Sequence, residues 1–129
     1  MLSPADFSRA IEDALSLPIE ERMRLLTGKG WFVGHRIPSL DLPVVVMSDG
    51  PHGLRLLQTD TVALTDANSA TCFPPAVSLG SSFDVDLIAR VGAAIGDEAR
   101  AHGIHVVLGP GINLKRSPLC GRNFEYFSE

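Results

Sequence analysis

Pro43-Val-Val-Val-Met-Ser-Asp-Gly-Pro-His-Gly53 is the stretch from which the rest of the chain is read. Its first five residues are apolar and rich in β-branched side chains, the pattern of a strand buried on both faces in a parallel sheet. Its last six residues contain two glycines and a proline, which demand a turn. A polar turn directly after a buried parallel strand is where α/β folds place their binding and catalytic groups. Asp49 stands at that junction.

Elements on either side can be placed relative to this one. Phe7, Ile11, Ala14 and Leu15 fall on one face at helical spacing and predict a helix over residues 4–15. Pro18 suits a first helical turn, and Ile19, Met23 and Leu26 carry a second helical stripe to about Thr27, where Gly28 can end it. Residues 29–42 read as a loop. Beyond Gly53 the chain is polar and irregular as far as Pro74-Pro75, and Ala76–Leu79 is expected as a second short strand. Asp84 can cap a helix from Val85 to His102, with Ile88, Val91, Ile95 and Ala99 as its apolar stripe and Gly103 as its terminator. Ile104–Leu108 is expected as a third strand, ended by Gly109-Pro110-Gly111. The order of strands and crossover helix predicts an α/β chain with a parallel sheet. Three strands and one clear crossover helix are thin cover for such a sheet, and Phe124, Tyr126 and Phe127 near the end carry no stop signal. The chain therefore reads as one cut in mid-element.

Composition sets limits. The chain has 129 residues, 45% apolar and 20% charged, as in globular proteins generally. Eleven Lys and Arg against fifteen Asp and Glu leave a net charge of −4, which argues against a nucleic-acid partner. No stretch approaches the roughly 20 apolar residues of a membrane helix, so no membrane partner is expected. The N-terminal residues lack a basic segment followed by an apolar core, so no secretory signal is read there. Cys72 and Cys120 could form at most one disulfide. A cytoplasmic, reducing location is the expectation.

Several side chains carry chemical possibilities. The Asp49 carboxylate is an acceptor without donors, suited to a ligand that presents adjacent hydroxyls, as a sugar does. Asp-Gly is also a strong turn dipeptide, and a cap for the turn is the more common use of such an Asp. Arg55 and Arg122 could hold hydroxyls or carboxylates by their planar forks, although most arginines are surface residues. Only the parallel-sheet reading brings the two to one rim. Glu125 and Glu129 could pair with Arg122 in a structural role. His35, His52, His102 and His105 show no metal-ligand spacing, so no metal site and no cofactor is expected. His105 is read as a packing residue between Ile104 and Val106. Leu108-Gly-Pro-Gly-Ile112 lacks the spacing of a phosphate loop. Ser48 has no nucleophile-elbow context.

Four motifs then occur in order: Ser48-Asp-Gly-Pro-His-Gly-Leu-Arg55, Thr71-Cys-Phe-Pro-Pro75, Leu108-Gly-Pro-Gly-Ile-Asn113, and Lys115-Arg-Ser-Pro-Leu-Cys-Gly-Arg-Asn-Phe-Glu-Tyr-Phe-Ser-Glu129. With Leu17–Leu26 ahead of them they resemble glycoside hydrolase family 3, the β-glucosidase and exo-glycosidase family. The resemblance covers nearly the whole chain. It implies a (β/α)8, TIM-like barrel, of which residues 1–129 would be an N-terminal fragment with about the first three strands. Residues 1–28 would be leading helices. Residues 43–129 would hold the first barrel strands, the crossover helix and active-site loops.

It also implies a retaining hydrolase of terminal β-D-glucosyl or related residues, with a carboxylate nucleophile and a separate acid/base residue. Carried over residue by residue, Asp49, Arg55 and Arg122 would bind sugar hydroxyls in the −1 subsite. The family's Lys-His pair, nucleophilic Asp and acid/base Glu would lie beyond Glu129. No catalytic group is therefore assigned within 1–129, and the fragment alone is expected to be inactive. The implied partners are a β-glucoside or related oligosaccharide, the rest of the barrel and a second domain. Two other readings stand beside this one: a short α/β protein that binds a sugar or a partner without hydrolysis, and a different α/β enzyme using Asp49 and a histidine.

Overall fold

The computed structural model describes residues 3–57 and 67–127. It divides into two compact units, Met1–Val46 and Met47–Glu129.

The first unit opens with α1 (Pro4–Ser16) and α2 (Ile19–Leu25). The start of α1 is fixed by a reciprocal cap. The Asp6 N–H donates to Ser3 Oγ at 3.2 Å, and the Ser3 N–H donates to Asp6 Oδ2 at 2.9 Å. The Ser3 hydroxyl, donating to Asp6 Oδ2 at 2.7 Å, and then the Ser3 N–H hold the Asp6 carboxyl below its usual value. Pro18 precedes α2, whose first turn carries Glu20 and Glu21 and whose last turn carries Arg22 and Arg24, in keeping with the helix dipole. The predicted apolar stripes are present, yet Phe7, Ile11, Leu15, Ile19, Met23 and Leu26 are all exposed. Leu17 and Ile37 are the buried apolar side chains of this unit.

The strand expected at Pro43–Met47 begins later. Gly34 N–H donates to the Val45 carbonyl at 2.8 Å, and Val33 bridges Val46 in antiparallel fashion. This local pairing takes up Val45 and Val46. Regular parallel pairing starts only at Met47.

In the second unit, β1 (Met47–Asp49) lies parallel to β4 (Val106–Leu108), with Met47 opposite Val106, Ser48 opposite Val107 and Asp49 opposite Leu108. Between them runs α4 (Val85–Ala101), completing a β-α-β unit. Its start is the predicted cap, Asp84 Oδ1 accepting from Leu87 N–H at 2.9 Å, and Gly103 beyond its end takes a left-handed φ of 68°.

Four expectations are corrected here. Ala76–Leu79 is not a strand but the start of helix α3 (Ala76–Ser81). Pro75 directly before it has φ −64°, and the two buried residues, Ala76 and Leu79, are three apart, the period of a helix face. The parallel sheet is thus two-stranded among the described residues. The stretch read as irregular after Gly53 contains an antiparallel pair, β2 (Leu56–Leu57) with β3 (Ala67–Asn68). The third expected strand covers Val106–Leu108 alone, and its faces are not both buried, Val106 and Leu108 being exposed. His105 is likewise exposed, not packed inside. A small core of Leu54, Leu56 and Ala99, flanked by Ala70, Ile95, Ile104 and Val107, ties β2, α4 and β4 together.

Candidate functional site

Asp49 is the last residue of β1, half-buried, and directly opposite Leu108 at the end of β4. Both parallel strands therefore end at one rim. The Asp49 carboxylate accepts the Gly50 N–H at 3.0 Å, so the turn-capping role is real. It is a local bond to one oxygen and does not exclude a ligand. The turn that follows is tight. Gly50 and Gly53 have φ of 132° and 129°, a region that side chains oppose. A Cβ on Gly50 would stand 1.8 Å from the Gly53 carbonyl oxygen.

Arg55 returns to Asp49 across that turn. Its N–H donates to the Asp49 carbonyl at 2.8 Å. The buried Ser48 hydroxyl, within 2.8 Å of the Asp49 carbonyl and 3.1 Å of the Arg55 carbonyl, pins the two backbones. Ser48 is thus a structural post of the turn.

Arg122 arrives from the far end of the unit. The chain after β4 turns at Gly109-Pro110-Gly111 and comes back so that Gly111 pairs with Tyr126, the Phe127 N–H donating to the Gly111 carbonyl at 3.2 Å. Contact is so close there that a Cβ on Gly111 would lie 2.7 Å from the Glu125 carbonyl oxygen. This return places Asp49, Asn113, Arg122, Glu125 and Tyr126 around a cavity of about 220 Å³ above the Leu108–Gly111 turn. Arg55 does not line this cavity. The structure thus brings Asp49 and Arg122 to one site, and holds Arg55 beside it through the backbone.

The cavity's charges are ordered. Arg122 grips Glu125 with both arms of its guanidinium, Nε on Oε1 and Nη2 on Oε2, the latter at 2.9 Å. The side chain of Arg122 is 72% exposed and that of Glu125 only 12%. The hydrogen bonds from Arg122 hold the Glu125 carboxyl below its ordinary 4.5, against the opposing effect of burial, and His52 adds to the lowering. In return Glu125 raises the Arg122 guanidinium, with smaller contributions from Tyr126 and Asp49. The pairing of Arg122 with Glu125 is the one the sequence suggested. Glu129 lies outside the described residues.

Two contributors escaped the sequence reading. Asn113 and Tyr126 line the cavity, and the only signal for either was its place inside a motif at a strand end. His52 is the third surprise. Both of its ring nitrogens are buried with no hydrogen-bond partner among the described residues, and it lines a neighbouring cavity of about 380 Å³ with Thr71 and Cys72. Cys72 and Cys120 are both free thiols and exposed.

A carboxylate and a guanidinium facing one polar cavity form a natural clamp for vicinal hydroxyls, the first accepting and the second donating. Residues 35–129 match the family model described as the glycosyl hydrolase family 3 N terminal domain. The chain is 47% identical over 116 residues to thermostable beta-glucosidase B of Acetivibrio thermocellus, covering 88% of this chain and 15% of that protein. It is 42% identical, with the same coverage, to an exo-alpha-(1->6)-L-arabinopyranosidase of Bifidobacterium longum. Among solved structures, beta-glucosidase 3B of Thermotoga neapolitana in complex with alpha-D-glucose matches with a TM-score of 0.77 at 34% identity, over 92% of this chain and 19% of that one. The chain therefore spans about a seventh of the curated relatives it matches. It belongs to glycosyl hydrolase family 3, within the stretch that forms that family's N-terminal domain.

Proposed function

We propose that these residues supply part of the sugar site of a retaining glycoside hydrolase that removes terminal β-D-glucosyl or related residues. The observation that carries the reading is the convergence of Asp49 and Arg122 on one polar cavity where β1 and β4 end. Asp49 accepts hydrogen bonds from adjacent sugar hydroxyls. Arg122, fixed in direction by Glu125, donates to them. Arg55, whose backbone is bonded to that of Asp49, is the third hydroxyl-binding residue of the −1 subsite in this reading.

The nucleophile and the acid/base residue come from segments outside these 129 residues, as do the remaining barrel strands and a second domain. Residues 1–28 lead into the barrel, and residues 43–129 begin it. Hydrolysis then proceeds by double displacement. One carboxylate attacks the anomeric carbon while an acid protonates the leaving oxygen, and the same acid, now a base, activates water. In such enzymes the two reacting carboxyl groups stand about 5–5.5 Å apart. Asp49 is not one of them. Its task is to hold the sugar ring while its bonds to the hydroxyls strengthen in the transition state. A clamp for vicinal hydroxyls is compatible with both sugars named among the relatives.

The test uses the full-length polypeptide on an aryl β-D-glucoside, followed by proton NMR as product forms. The reading predicts β-glucose as the first anomer released. Release of α-glucose first, or no release of sugar, would overturn it.

A further inference from the structure

We propose that Glu98 is a positioning residue for this sugar site: from the crossover helix its carboxylate holds the Thr71–Phe73 segment against the 50–53 turn, and through that turn fixes Asp49. The inference rests on the reading of Asp49 as a sugar-binding group.

Glu98 lies in the last turn of α4 and is half-buried. Its Oε1 accepts twice from one residue, the Thr71 N–H at 3.0 Å and the Thr71 hydroxyl at 3.2 Å. Its Oε2 is buried with no hydrogen-bond partner among the described residues. Taking a carboxylate out of water is costly unless its bonds compensate. Anchoring an irregular segment is the evident use of those two bonds.

That segment is wedged against the turn that carries Asp49. The Thr71 carbonyl oxygen lies 2.0 Å from where a Cβ on Gly53 would stand, so backbone meets backbone there with no room for a side chain. Two residues on, the Phe73 N–H donates to the His52 carbonyl at 2.7 Å. The turn then closes on itself, Gly53 N–H to the Gly50 carbonyl at 3.3 Å, and Gly50 N–H reaches the Asp49 carboxylate at 3.0 Å. The path from Glu98 to Asp49 is an unbroken series of hydrogen bonds and backbone contacts. The same helix also sets β4, for Ile104 N–H donates to the Ala99 carbonyl at 2.9 Å just before that strand. One element thereby references both sides of the rim, β4 through the chain and the Asp49 turn through Glu98.

The experiment measures kcat, KM and the inhibition constant of glucose in the full-length polypeptide. Its variants are Glu98→Leu, Glu98→Gln and Thr71→Val, each alone and combined with Asp49→Ala. Small misplacements of a positioned group lower kcat/KM by up to about a hundredfold. Glu98→Leu is expected to lose about tenfold to a hundredfold on that basis. Glu98→Gln should recover most of it, because an amide oxygen still accepts from Thr71. With Asp49 already replaced, Glu98→Leu should cost less than about twofold, since coupled residues do not add. Equal losses with and without the Asp49 carboxylate, or no loss from Glu98→Leu, would overturn the positioning role. If Glu98→Leu does not fold, Thr71→Val carries the same test. It removes the hydroxyl bond alone, and its smaller loss should vanish in the Asp49→Ala background. Unaltered kinetics in Asp49→Ala itself would remove the sugar-binding reading and this inference together, whereas additive losses remove only the inference.

Discussion

The rim at the ends of β1 and β4 and the pair of helices α1 and α2 are satisfied in opposite ways. At the rim, backbone groups are bonded, glycines let chains meet at contact distance, and a guanidinium is locked onto a carboxylate. On α1 the backbone is likewise bonded, with a reciprocal cap at Ser3 and Asp6, but the apolar faces of α1 and α2 are exposed. Phe7 and Leu15 are each 63% exposed and Leu26 87%. The difference shows what hydrogen bonding and apolar burial each accomplish. Strand pairing and turn hydrogen bonds, several of them between segments far apart in the chain, aim Asp49 and Arg122. Burial of a helix face needs a partner surface, and burial is the dominant favourable contribution to folding.

The largest effect expected from this contrast concerns stability. Residues 1–129 expressed alone should show helical far-UV circular dichroism, bind a hydrophobic dye and melt without a cooperative transition. A sharp transition with no dye binding would break the comparison, since it would mean the exposed faces are tolerated. Next in size is Gly50→Ala in the full-length polypeptide. The positive φ alone costs about 1–3 kcal/mol, and the clash with the Gly53 carbonyl adds to it. Melting temperature and hydrolysis should both fall steeply. A variant with unchanged melting would show that the turn is looser than its contacts imply.

Smaller still is the pH response of the Arg122–Glu125 pair. The Glu125 carboxyl is held below its ordinary 4.5, so folding releases protons from it, and the pair's stabilisation is complete above that value. It is lost as pH falls through the lower folded value. Comparing the full-length polypeptide with Glu125→Gln across the acid range should show the difference shrinking toward low pH. The exposed face of Arg122 keeps it small, as water screens the pair. A difference that grew on acidification would contradict the assignment. Last comes Ser3→Ala, which removes one half of the α1 cap. It should cost about 1 kcal/mol by thermal melting without altering hydrolysis, separating the helix's local backbone from its exposed apolar face.

Legibility in the sequence followed the same division. Helix α4 was readable from its ends, because Asp84 and Gly103 each do locally what their residue types favour. Ala76–Leu79 was not, because a short apolar run fits a strand or a buried helix equally well, and only packing of Ala76 and Leu79 decides. Two-residue strands such as β2 and β3 leave no periodicity to detect. The nearness of Asp49 to Arg122 was readable only by assuming that strands flanking a crossover helix pair in parallel, which β1 and β4 do. That Asn113 and Tyr126 share their cavity, and that Glu98 reaches Thr71, depends on how the chain returns after each turn, and no local pattern encodes it.

The central claim is that the Asp49 carboxylate binds sugar hydroxyls, and it is tested most directly by Asp49→Ala in the full-length polypeptide. Charge-assisted hydrogen bonds contribute about 1.5–3 kcal/mol each. Losing those that Asp49 makes should lower kcat/KM on an aryl β-D-glucoside by at least about a hundredfold, with melting temperature little changed. A variant that folds normally and hydrolyses at the wild-type rate would contradict the account.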